Sequence, residues 1–154
     1  MRTPRALVRR RRTLTVGASR PIGFERSAHR HEDVGDYLAK LLSPDIKGGG
    51  GLILLSGPTG SGKTTTLYAC VQQIDRRRRH VLTIEDPIEY ELRYATQWQV
   101  RPGMKGGEFP DLIRAAMRHD PDYIVIGEMR DADTVETSLR AAESGHTVIS
   151  TIHA

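Results

Sequence analysis

Residues 57–64 read Gly-Pro-Thr-Gly-Ser-Gly-Lys-Thr, and no other feature of this chain constrains its fold as strongly. The octet follows an apolar run, Leu52-Ile53-Leu54-Leu55-Ser56, short enough to be a buried strand. Beyond it, Leu67, Val71 and Ile74 share one face at helical spacing. Strand, glycine-rich turn and helix start form the context in which G-x-x-x-x-G-K-[ST] cradles phosphate. Gly57, Gly60 and Gly62 allow the backbone to turn its N–H groups inward and approach phosphate oxygens closely. The first turn of the following helix adds positive potential. Lys63 is the residue that reaches the β- and γ-phosphates, and the Thr64 hydroxyl is the Mg²⁺ ligand. With Pro58, Thr59, Ser61 and Thr65, these residues are the candidate ATP contacts.

The rest of the chain alternates in the same way. A strand over 52–56 leads to a helix over about 63–75, closed by the basic cluster Arg76–Arg79, where cations favour the helix dipole. Val81-Leu82-Thr83-Ile84 reads as a second strand, and residues 87–108, rich in Pro and Gly, as an irregular stretch. Residues 110–119 form an amphipathic helix with Ile113, Ala116 and Met117 inward, and 123–126 a third strand. Residues 132–144 form a helix with Val135, Leu139 and Ala142 inward, Asp131 as N-cap and Gly145 just past its end. A fourth strand occupies 147–152. Strands that are apolar on both faces, alternating with helices, predict an α/β fold with a mostly parallel sheet covered on both sides.

In parallel sheets, ligands bind outside the carboxyl ends of the strands, and polar residues gather there. Glu85-Asp86-Pro87 follows the second strand, Gly127-Glu128-Met129-Arg130-Asp131 the third, and Thr151 and His153 the fourth. Phosphoryl transfer to water needs in-line positioning, Mg²⁺ and a group that orients the water. Glu128 is the candidate for holding Mg²⁺, directly or through water. Glu85 is the candidate for polarising the attacking water, and His153 for contacting the γ-phosphate. Arg130 either neutralises developing charge or pairs with a neighbouring acid.

The net charge of +4 conceals an asymmetry. Residues 1–30 hold nine arginines and a single acid, Glu25, a charge of +8, so the remainder carries −4. Residues 1–30 are therefore read as a basic, disordered tail, residues 31–51 as a helix (32–42) with a glycine linker, and residues 52–154 as the phosphate-loop α/β core. The tail is compatible with contact to nucleic acid or an anionic membrane surface. No apolar run reaches the length of a membrane-spanning helix. The single cysteine, Cys70, excludes a disulfide within the chain and is read as a buried small hydrophobe.

The residues from Met117-Arg118-His119-Asp120-Pro121-Asp122 through Tyr123-Ile124-Val125-Ile126-Gly127-Glu128 to Met129-Arg130-Asp131 resemble the signature of the type II secretion and type IV pilus ATPases. Thr83-Ile84-Glu85-Asp86-Pro87-Ile88-Glu89-Tyr90 is similar to the family's Asp box, and Gly145–Ala154 to its His box. The Gly127-Glu128 pair is similar to its atypical Walker B. The resemblance covers roughly residues 50–154 and implies a RecA-like ATPase that uses ATP and Mg²⁺ to drive assembly or retraction of a pilus or pseudopilus. It further implies a homo-hexamer, cytoplasmic and peripheral to the inner membrane, working against inner-membrane platform proteins. Glu85, Glu128 and His153 are its implied catalytic residues, and Thr64 with Glu128 its metal site. Nucleic acid is not an expected partner. The family continues past the His box and carries an N-terminal PAS-like domain that residues 1–47 do not match. The expectation is a fragment of a larger ATPase whose sheet ends in an unpaired fourth strand. Two other readings stand beside the motor: an ATP-binding remnant that does not turn over, and, from the basic tail alone, a related nucleic-acid translocase.

Overall fold

The computed structural model describes residues 7–9, 13–17, 42 and 50–153. The expected helix over 32–42 lies outside them except for Leu42, as does the glycine linker before Gly50. The described strands are β1 (Leu7–Arg9), β2 (Thr13–Gly17), β3 (Gly51–Gly57), β4 (Val81–Glu85), β5 (Thr96–Gln99), β6 (Tyr123–Met129) and β7 (Thr147–His153). The helices are α1 (Lys63–Gln72), α2 (Phe109–Ala116), which continues into a 3-10 turn at Met117–His119, and α3 (Ala132–Glu143).

All seven strands join one sheet in the order β1-β2-β3-β7-β6-β4-β5. Only the β1–β2 pairing is antiparallel. Two expectations change. The last strand, β7, lies in the middle of the sheet between β3 and β6, so it leaves no open edge. The chain reaches β7 by crossing back over the sheet through α3, so order in sequence misleads about order in space. Part of the segment read as a tail also enters the sheet, since β2 runs parallel to β3 with Thr13 opposite Leu52. Thr13, Thr15 and Val16 have the β-branched character of a strand, which the flanking arginines mask in a charge count.

Side chains of β3, β4, β7 and the first part of β6 alternate across the sheet and divide the core in two. Ile53, Leu55, Val81, Val125 and Ile149 pack with Leu67, Cys70 and Val71 of α1. Leu82, Ile84, Ile124, Ile126 and Val148 pack on the opposite face with Ile113 and Ala116 of α2. Each fully buried Ile or Leu removes enough apolar surface from water to contribute about 1.5–3 kcal/mol. Cys70, at 1% exposure, sits in the α1 layer as the sequence indicates, and burial pushes its thiol up to about 11.

Helix α3 departs from its expected face. Thr134, Thr137, Ser138 and Ala141 are its buried residues, while Leu139 is exposed. Val135 and Ala142 are partly buried at the margin of the α2-side core. Two stripes of this helix have the same spacing, and hydrophobicity alone selects the wrong one. The hydroxyls of the inner stripe are satisfied locally: Ser138 donates to the Thr134 carbonyl (2.6 Å), and Thr134 donates to the carboxylate of Asp131 (2.7 Å). Small residues so satisfied bury at little cost and let the helix approach the sheet closely. Asp131 also accepts from the Thr134 N–H at 2.8 Å, as expected of an N-cap.

Candidate functional site

The phosphate loop joins β3 to α1. Gly60 and Gly62 have φ of +75° and +86°, and a Cβ at either would meet nothing within 4 Å. Glycine is required there by backbone conformation rather than by space. At Gly57 the reason is steric, since a Cβ would lie 2.6 Å from the Ser61 Oγ. Gly62 caps α1 without any side-chain bond, leaving first-turn N–H groups available to a ligand. The Lys63 ammonium donates to the carbonyls of Gly57 (2.8 Å) and Pro58 (3.0 Å) and closes the loop on itself.

The loop forms one wall of a cleft of about 460 Å³. Thr59, Gly60, Gly62, Lys63, Thr64 and Thr65 line that wall. Gly57, Pro58 and Ser61 do not line it and act as the loop's frame. Glu85, Glu128, Arg130 and His153 line the same cleft. The strand ends therefore bring together the residues singled out in sequence.

Sheet register explains why. Gly57 at the end of β3 lies opposite His153 at the end of β7, and the His153 Nε2 meets the Thr59 Oγ1 across the loop. Glu128 is aimed by an irregularity. Ile126 pairs with Ser150 and Met129 with Ile152, so β6 carries one residue more than β7 between those points. This is a β-bulge, which re-aims side chains. The Thr151 hydroxyl donates to the Gly127 carbonyl at 2.8 Å and ties the bulge down. Glu128 accepts from the Arg130 Nε at 2.8 Å, and the Arg130 Nη1 lies 3.9 Å from Asp86. Arg130 is thus engaged with two acids, and Glu128 raises its already high pKa.

Glu85 is placed differently from its neighbour. It is 5% exposed and shares the α1 face of β4 with Thr83, two residues earlier. Its Oε1 accepts from the Thr83 hydroxyl (2.5 Å) and the Gln97 amide (3.0 Å), and its Oε2 accepts from the Tyr68 hydroxyl. Burial, and then the bond to Glu85, push the Tyr68 phenol up to about 12, so it is a neutral donor at neutral pH. Sequence reading passed over Tyr68 and Gln97. Tyr68 sits beside Leu67 on an apolar helix face, where its hydroxyl was the available signal. Gln97 lies on β5, inside the stretch read as irregular, because Thr96-Gln97-Trp98-Gln99 is too polar to announce a strand.

The donor set fits a magnesium nucleotide. The loop offers an ammonium and backbone N–H groups for phosphate oxygens, and Thr64 and Glu128 offer oxygen ligands in the same cleft. Among the described residues no cluster of three or more His, Cys, Asp or Glu could hold a metal unaided. Among the described residues no helix is long and apolar enough to cross a membrane.

Comparison with known proteins gives the family. The chain is 48% identical over 103 residues to the type II secretion system protein E of Klebsiella pneumoniae, covering 67% of this chain and 20% of that protein. It is 45% identical over 127 residues to the type II secretion system ATPase E of Vibrio cholerae, covering 82% of this chain and 24% of that one. Among solved structures it is similar to the pilus retraction motor PilT with bound ADP: TM-score 0.64, 44% identity, 80% of this chain and 34% of that chain. The chain thus spans about a fifth to a quarter of the length of these curated relatives. Since residues 30–154 match the family described as type II/IV secretion system protein, the chain belongs to that family.

Proposed function

We propose that this chain is the ATP-binding and hydrolysing core of a motor that drives a type II secretion or type IV pilus machine. The observation that carries the reading is one cleft lined both by the phosphate loop with Lys63 and by Glu128 at the bulge of β6. The relatives named as a secretion ATPase and as an ADP-bound retraction motor support it. Lys63 and the first-turn N–H groups of α1 hold the phosphates. Thr64 and Glu128 hold Mg²⁺, which would neutralise charge on the phosphoryl oxygens when bound. Glu85 orients the attacking water, and His153, braced by Thr59, faces the terminal phosphate. Arg130 sets the Glu128 carboxylate in place. The working assembly is a homo-hexamer on the cytoplasmic side of the inner membrane, acting on platform proteins there.

The test compares native chain and Lys63→Ala for Mg²⁺-dependent binding of a fluorescent ATP analogue and for phosphate release. Loss of both in Lys63→Ala is the expected result. Nucleotide binding with no Lys63-dependent phosphate release would instead mean a nucleotide-binding unit without turnover. Native chain that binds no nucleotide would overturn the reading.

A further inference from the structure

Glu85 is an unusual acid for a residue at a strand end, because it is almost wholly enclosed and still borders the cleft. An ionised carboxylate offers about four acceptor sites on its two oxygens. Thr83 and Gln97 fill both sites of Oε1, and Tyr68 fills one site of Oε2. A single acceptor site is left, and it lies on the oxygen that Tyr68 holds. We propose that Tyr68 is a positioning residue: its hydroxyl fixes Glu85 by Oε2 and so sets the direction of the one acceptor site left for a water in the cleft.

The surroundings of Tyr68 are built for that task. The ring belongs to α1, the helix that follows the phosphate loop, and it is 8% exposed. It packs edge-on against Tyr90 with centroids 5.2 Å apart, and its oxygen accepts from the Tyr90 N–H at 3.3 Å. The hydroxyl therefore has one proton, and it points at Glu85. Gln97 is braced in turn, donating to the Tyr90 carbonyl (2.9 Å) and accepting from the Leu92 N–H (2.7 Å). Neither oxygen of Glu85 can swing without breaking a bond to a side chain that is itself held. The phenol pKa is raised first by burial and then by the bond to Glu85, which is consistent with this contact.

The contact itself is tested without turnover, whereas its role in catalysis rests on the function proposed above. In ¹³C-labelled chain without nucleotide, the Glu85 carboxyl carbon is assigned by its disappearance in Glu85→Gln. Tyr68→Phe, which keeps the ring and the Tyr90 packing, should move that resonance beyond its linewidth. Thr83→Val, which removes a donor from the other oxygen, should move it too and serves as the second probe. A resonance that moves in Thr83→Val and stays put in Tyr68→Phe overturns the proposal, as does one that stays put in both. In turnover, Tyr68→Phe should lower kcat by ~10- to 100-fold with the KM for MgATP within ~2-fold, the cost of loosening a positioned group. Unchanged kcat, or a fall matched by lost nucleotide affinity, also overturns it. If native chain binds no nucleotide, the motor reading fails while the resonance still decides whether Tyr68 holds Glu85.

Discussion

Replacing Glu128 by Gln separates the stability of this site from its chemistry. In the structure Glu128 is bonded to Arg130, and their side chains are 25% and 63% exposed. A pair so open to solvent contributes about 0–1 kcal/mol to folding, because water competes with it and salt screens it. Gln preserves the volume and one acceptor oxygen, so the urea midpoint should move by no more than that. In the proposed role at the cleft the same charge matters far more, because there it faces a divalent cation and the phosphates it bridges rather than water. Removing one preorganised electrostatic contact of this kind raises a reaction barrier by about 2.7–4 kcal/mol, a ~10²- to 10³-fold fall in rate. The assay titrates a fluorescent ATP analogue with and without Mg²⁺ and follows phosphate release in parallel. Nucleotide binding without Mg²⁺ should be the same in both chains, and the gain in affinity on adding Mg²⁺ should shrink in Glu128→Gln. An unchanged Mg²⁺ gain, or a loss of stability well above 1 kcal/mol, would refute the assignment of Glu128 as the metal-side acid.

Further outcomes follow from burial and charge. Ser138→Leu should destabilise the chain by about 1–3 kcal/mol by overpacking α3 against the sheet, while Leu139→Gln should stay within about 0.5 kcal/mol in urea unfolding. Cys70, buried with its thiol raised to about 11, should resist a thiol reagent at pH 8 in folded chain and react at once in denaturant. Asp131, held below the usual carboxylate range by the Thr134 hydroxyl and N–H, contributes stability above its unfolded pKa near 4 and loses it as pH falls further. Asp131→Ala should therefore cost about 1 kcal/mol at pH 7 and progressively less in acid. Tyr68 behaves oppositely: its contribution is complete below pH 10 and disappears toward pH 12, a loss that Tyr68→Phe should abolish in alkaline unfolding curves.

What could be read in the sequence was what has a local cause. The phosphate loop carries its own conformational demand in glycines at positive φ, and the four apolar strands announce burial on both faces. Three things were hidden because their cause is not local. The place of β7 depends on a crossover, so four strands in sequence said nothing of which lay at the edge. The inner face of α3 is made of hydroxyls whose burial is allowed by bonds to Asp131 and to the helix itself. The polar strand β5 forms only because β4 offers it an edge, with Gln97 opposite Thr83.

Two acids of the cleft, Glu85 and Glu128, illustrate how the same backbone rule gives opposite environments. On β4 alternation is unbroken, so Glu85 falls on the same face as Val81 and Thr83, toward α1, and is drawn under Tyr68. On β6 alternation puts Ile124 and Ile126 on the α2 face, and without interruption residue 128 would join them there. The extra residue at Gly127-Glu128 shifts the phase, which is why Met129, an odd-numbered position, packs with Ile124 and Ile126 instead. Glu128 thereby lines the cleft that the phosphate loop also lines, where it stays partly solvated. A buried carboxylate with three donors suits a fixed orienting role, and a rim carboxylate with one cationic neighbour suits an exchangeable metal. The bulge on β6 therefore gives Glu128 an environment different from the one that regular alternation on β4 gives Glu85.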